Sequence, residues 1–159
     1  MGQRADQWVT RLDAAFEGDA ASVIGNVSSV RDEDWEWLPE GGARSIRGLV
    51  QHIGGATLMY DNAAFGDGSF GFEDPLVQGV GALDTREGAI EWLRAAHTSF
   101  RAGVAALDDS AFDQECGMPF GRSGLMEEML DQLVRHQVYH TGEINHLRAL
   151  AQGNDAWAW

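Results

Sequence analysis

The segment Val134-Arg135-His136-Gln137-Val138-Tyr139-His140-Thr141-Gly142-Glu143-Ile144 carries two histidines four residues apart. In a helix that spacing stacks two side chains one turn apart on the same face, which is how a single helix presents two imidazoles to one metal ion. Met129, Leu133, Ile144 and Leu147 share the stripe, so the pair is expected to face the core. Two readings are open for it: a core pair satisfied by hydrogen bonds to neighbouring helices, or half of a metal site. A third ligand elsewhere in the chain decides between them.

The elements that must position such a ligand follow from apolar periodicity. From Gln3 to Val30, the residues Trp8, Leu12, Ala15, Phe16, Val23 and Val27 recur at three- and four-residue steps, predicting a first helix bent near Gly18 and Gly25. Pro39 and the pair Gly41-Gly42 then break the pattern, and Trp35 and Trp37 are expected to fold back as lids on one end of the core. Ser45 is a good N-cap for a second helix reaching about Phe65 through Ile46, Leu49, Val50, Ile53, Leu58 and Met59, with His52 on its inward face. Gly54 and Gly55 follow at once, at about 1 kcal/mol each relative to alanine. Close helix packing or a bend would offset that cost; so would room left for a ligand at Gly55.

Gly66 to Leu83 is glycine-rich and reads as a long connection. At up to ~3.3 Å per residue it can run the length of a four-turn helix and return the chain to the same end, so the second and third helices are expected to be parallel. Asp84 with Glu87 resembles a capping box, and Ile90, Leu93, Ala96, Phe100, Val104 and Leu107 mark the third helix, with His97 in its stripe. Residues 108–122 read as irregular, and the fourth helix is expected from Ser123 to Gln152. Trp157 and Trp159 are left uncovered unless they dock on the core or on another subunit. The expected fold is all-α: one domain over residues 1–159, a four-helix bundle with a long crossover connection between helices two and three.

Composition narrows the chemistry. The chain has 11 basic against 25 acidic residues, a formal charge of -14. Such a surface repels phosphate backbones and anionic lipids, so no nucleic acid and no membrane partner is expected. Every basic residue is arginine, which excludes Schiff-base chemistry on lysine and any P-loop. Cys116 is the single cysteine, so an intramolecular disulfide is excluded and the thiol is expected to be inert. No segment approaches the ~20 apolar residues that span a bilayer, and the first residues have no signal-peptide character. A cytoplasmic location is expected.

His52 supplies the third ligand. With His136 and His140 it would bring three imidazoles together in a helical core and leave coordination positions open, the pattern of a catalytic metal site for zinc, with nickel or iron also suited to imidazole. The pair is not a metalloprotease zincin, because the residue after the first histidine is Gln137 rather than glutamate. Glu143, one turn beyond His140, is a candidate to orient a ligand or act as a base, beside a plain salt-bridge role. His97 is expected to hydrogen-bond in the core, and His146 to lie on the surface or an interface.

Leu38-Pro39 with Gly41-Gly42, Ser45-Ile46 with Leu49-Val50-Gln51-His52-Ile53, Phe120-Gly121-Arg122, and His136-Gln137-Val138-Tyr139-His140-Thr141-Gly142-Glu143-Ile144-Asn145 stand in an order that resembles the DinB-like (DinB/YfiT, DUF664-type) superfamily. The resemblance implies a four-helix bundle whose divalent metal is held by His52, His136 and His140, and a homodimer. It also implies a metal-dependent enzyme acting on a small-molecule substrate: a low-molecular-weight thiol S-transferase using mycothiol or bacillithiol, with a metal-dependent hydrolase or a non-catalytic metal-binding or dimerisation module as the alternatives. The lysine-free composition, read as that of a GC-rich genome, leans the thiol towards mycothiol. After the last histidine the family's usual His-Arg-Gly-Gln is replaced here by Thr141-Gly142-Glu143, which leaves the substrate contacts open.

Overall fold

A computed structural model describes residues 2–154 of the chain; Trp157 and Trp159 lie outside the described residues. The described chain is mainly helical, with α1 at Gln3–Glu17, α2 at Val23–Ser28, α3 at Ile46–Phe65, α4 at Arg86–Ala105 and α5 at Met126–Gln152. Two short strands, β1 at Glu115–Met118 and β2 at Arg122–Leu125, complete it.

Three local differences from the sequence reading have physical causes. The first predicted helix is two helices, because polar side chains between them bond to nearby backbone. Asp19 accepts from the Ala21 N–H, and Ser22 caps α2 by accepting from the Gly25 N–H. The N-cap of α4 is Thr85, whose hydroxyl accepts from the Gly88 N–H, whereas Asp84 ends a 3-10 turn and Glu87 pairs with Arg86. Residues 115–125 are an antiparallel hairpin rather than irregular chain, with Glu115 opposite Leu125 and Met118 opposite Arg122. The last helix therefore starts at Met126, three residues after Ser123. Four-residue strands holding Gly117 and Gly124 give no alternating apolar run from which pairing could be read.

Side-chain contacts give the helix directions. Along α3 and α4, Gly54 packs on Trp92, Asp61 accepts from Ser99 at 2.5 Å and Phe65 packs on Phe100 and over Gly103, so residue numbers rise together. The two helices run the same way. In α1 and α4 the order is reversed, Asp13 meeting His97 and Arg101 while Glu17 meets Arg94. In α3 and α5 it is reversed as well, with His52 against His140 and Thr57 against Gln137.

The buried apolar residues fall into two clusters. One gathers Phe16, Trp35, Ile46, Leu49, Ile53, Leu83, Leu93 and Ile144. The other gathers Trp8, Leu12, Tyr60, Phe100, Phe112, Met129 and Leu133. Along α5 the second ends at Leu133 and the first resumes at Ile144, and the turns between them hold His136, Gln137, His140 and Thr141. Trp35 is buried as expected and donates its indole N–H to the Leu83 carbonyl at 3.1 Å, while Trp37 is half-buried. Among the described residues no helix is long and apolar enough to cross a membrane.

Close packing accounts for the two mid-helix glycines. A Cβ on Gly54 would enter the Trp92 ring, whose indole donates to the Leu76 carbonyl, and one on Gly55 would lie 2.7 Å from the Val77 carbonyl oxygen. Gly54→Ala gains about 1 kcal/mol of helix propensity but forces apart a pinned ring, at about 1–3 kcal/mol. Chemical denaturation of the G54A protein is expected to show a net loss of up to about 2 kcal/mol that shrinks when Trp92 is also shortened to leucine.

Candidate metal centre

His52 reaches the site because Ser45 starts α3 at a defined residue, its side chain accepting from the Gly48 N–H. Two helical turns later the imidazole lies between the inward residues Leu49 and Ile53. His136 and His140 project from α5, one turn apart, across the antiparallel contact with α3. The three histidines offer ring nitrogens that all lie within 4.8 Å of one another. The Nε2 atoms of His52 and His136 face each other at 3.0 Å, and the ring centroids are 4.5–4.8 Å apart.

Glu143 defines the orientation of one ring. Its Oε2 accepts from Nδ1–H of His140 at 2.5 Å, which leaves the His140 Nε2 as a lone-pair donor. A carboxylate behind a histidine in this way fixes the tautomer and raises the basicity of the ligating nitrogen. The facing Nε2 atoms of His52 and His136 can share a hydrogen bond between neutral tautomers, or both turn their lone pairs to a cation. The donor set therefore fits a divalent ion that takes imidazole nitrogen, such as zinc, nickel or iron.

Burial opposes charge on these rings. The His52 imidazole is pushed down to about 4, by burial first and then by the positive charges of His140 and Arg44. His136 is pushed down to about 4 for the same reasons, with His52 adding to the repulsion. Neutral imidazole is the form that ligates a metal. The Nδ1 of His136 is buried without a hydrogen-bond partner, the one polar atom of the triad left so.

Beside the triad opens a cleft of about 630 Å³. It is lined by Glu143, Tyr139 and Gly142 of α5, by Leu49 of α3 and by Arg44 from the loop before α3. Tyr139 also packs edge-on against His140, with ring centroids 5.0 Å apart. The cleft thus shares Glu143 and Tyr139 with the surroundings of the third histidine.

The remaining histidines are elsewhere. His97 lies in the core against α1, stacked on Phe16 at 4.0 Å and bonded to Asp13 at 2.9 Å. His146 is exposed and lines the outer cleft. Gln137 is buried and its amide approaches the Thr57 hydroxyl at 3.5 Å, so the position of a zincin glutamate is part of the helix contact. Arg44, Tyr139 and Gly142 are site residues that sequence reasoning did not single out. Tyr139 and Gly142 flank a predicted ligand and could have been found from that; Arg44 sits in a loop with no periodic signal.

Fold and site together define a helical protein with a three-imidazole centre suited to a divalent metal ion. A family profile described as the DinB superfamily matches residues 6–144, and the chain belongs to that superfamily. No curated protein matches the chain.

In the metal-free protein, NMR titration of the His52 and His136 ring protons is expected to give midpoints near 4 rather than 6.5. The unfolded chain takes up the same protons near pH 6.5, so it binds more protons than the folded chain between these values. Stability of the metal-free protein should accordingly fall as the pH is lowered through that window. Midpoints at the ordinary value would mean that the rings stand apart in water.

Proposed function

We propose that His52, His136 and His140 hold a divalent metal ion, zinc being the expected one, and that the chain is a metal-dependent enzyme transferring a low-molecular-weight thiol to an electrophilic small molecule. The supporting observation is the convergence of the three ring nitrogens within 4.8 Å beside a cleft large enough for a small organic substrate. The helix directions and contacts support the finer architecture, a four-helix bundle of α1, α3, α4 and α5 with residues 66–85 as the crossover. The resemblance of the motifs supports thiol transfer, with mycothiol or bacillithiol as the cosubstrate.

When bound, such an ion supplies Lewis acidity that lets a thiol or water lose its proton near neutral pH. The chain's own residues divide the remaining work. Glu143 holds the His140 ring through Nδ1–H and lines the cleft, where its carboxylate can receive a proton. Leu49, Leu147 and Pro39 form an apolar wall that shelters the reacting atoms from bulk water. Gln137 takes no part as a base, since it is a buried amide directed at Thr57.

Protein purified without an affinity tag is expected to carry one equivalent of metal by elemental analysis. His136→Ala should lose it and melt at a lower temperature, and Glu143→Gln should weaken metal affinity by about 10–100-fold. Absence of stoichiometric metal, together with an unchanged melting temperature for H136A, would sink the metal assignment. Incubation with mycothiol, bacillithiol and simple thiols against a panel of electrophiles should give metal-dependent adducts. Turnover of esters or amides without a thiol would instead favour the hydrolase reading, and none of either the binding module.

A further inference from the structure

We infer that the cleft beside the three histidines selects a small organic anion, whose single carboxylate-type group pairs with Arg44 while its apolar body lies over Gly142 against Tyr139, Leu49 and Leu147. Identifying that anion as the substrate rests on the function proposed above; its binding does not.

Charge is the first argument. Six of the 11 arginines pair with carboxylates, as expected where acidic residues outnumber basic ones by 25 to 11. Arg44 has no such pair among the described residues, yet it stands on the wall of a concave cleft. It lines the same cleft as Glu143, the partner of His140, which places it at the approach to the triad. Glu143, the one carboxylate lining the cleft, is already engaged by the His140 N–H at 2.5 Å. The cleft therefore offers a cation with a planar fork of donors and no internal anion assigned to it, a combination that recognises carboxylate geometry.

Gly142 is the second argument, and it is independent of charge. A glycine inside a helix costs about 1 kcal/mol relative to alanine. At Gly54 and Gly55 neighbouring groups leave no room for a Cβ, which explains those residues. A Cβ on Gly142 would meet nothing within 4 Å, so no packing contact requires glycine there. It does line the cleft, between the exposed Tyr139 ring and Glu143. Its lack of a side chain keeps that volume open. Leu49, Leu147 and the Tyr139 ring then give the body of a ligand an apolar and aromatic surface, which a simple inorganic anion would not use.

Phenylacetate and its neutral isostere phenylacetamide test the assignment, by calorimetry and by amide NMR shifts of Gly142 and Tyr139. Both metal-loaded and metal-free protein are used. Phenylacetate is expected to bind at least about ten-fold more tightly than the amide in both forms, the scale of one charge-assisted hydrogen-bonded contact. Arg44→Gln should abolish the difference without changing metal content. Gly142→Leu should block both probes while the melting temperature holds or rises. Equal binding of the two probes, no binding of either, or a preference that survives R44Q would overturn the inference. A preference that vanishes on metal removal would assign the carboxylate to the metal and overturn it as well. If the protein carries no metal but the Arg44-dependent preference persists, the metal reading fails and this one stands.

Discussion

Three imidazoles confined to one small volume are the constraint that the surrounding structure answers. They cannot all be charged, because the rings repel at centroid separations of 4.5–4.8 Å and are partly removed from water. When neutral, His52 and His136 meet through Nε2 at 3.0 Å, where one tautomer donates to the other. A divalent cation would accept a lone pair from each neutral ring and so keep all three uncharged. The Glu143 carboxylate behind His140 adds the negative charge that such a centre favours.

The core is organised to accommodate this polar layer. Apolar packing proceeds in two clusters rather than one, and on α5 the clusters stop at Leu133 and resume at Ile144. Between them Thr141 donates its hydroxyl to the Gln137 carbonyl, and the Gln137 amide approaches Thr57. Asp13 and His97 occupy the comparable turns of α1 and α4, between Leu12 and Phe16 and between Leu93 and Phe100. Buried polar groups of this kind specify which helices meet and in which register, although an imperfectly paired one is costly. The buried Oε1 of Gln137 and Nδ1 of His136 bear such a cost, being without partners.

Membership of the DinB superfamily accounts for the ligand constellation but not for what enters the cleft. The same three imidazoles activate a thiol or a water, so selection falls to residues that do not touch the metal. Here those residues come from two places, the loop before α3 and the outer face of α5. Within Thr141-Gly142-Glu143, Glu143 supports His140 and Gly142 lines the cleft.

Much of this was written in the sequence. The spacing of His136 and His140, the inward position of His52 and the cap at Ser45 depend on helical geometry alone, which is local and therefore readable. Strong periodicity likewise located the long helices, and the glycine pair in α3 announced close packing. What failed locally were short elements: the break between α1 and α2, the Thr85 cap and the hairpin at residues 115–125, each decided by one or two side-chain bonds or by pairing across a turn. Tertiary structure alone brought α3 and α5 together so that three nitrogens meet, and placed Arg44 and Gly142 in the lining of one cleft. The first joins residues 84 positions apart, and no pattern along the chain records a distance in space.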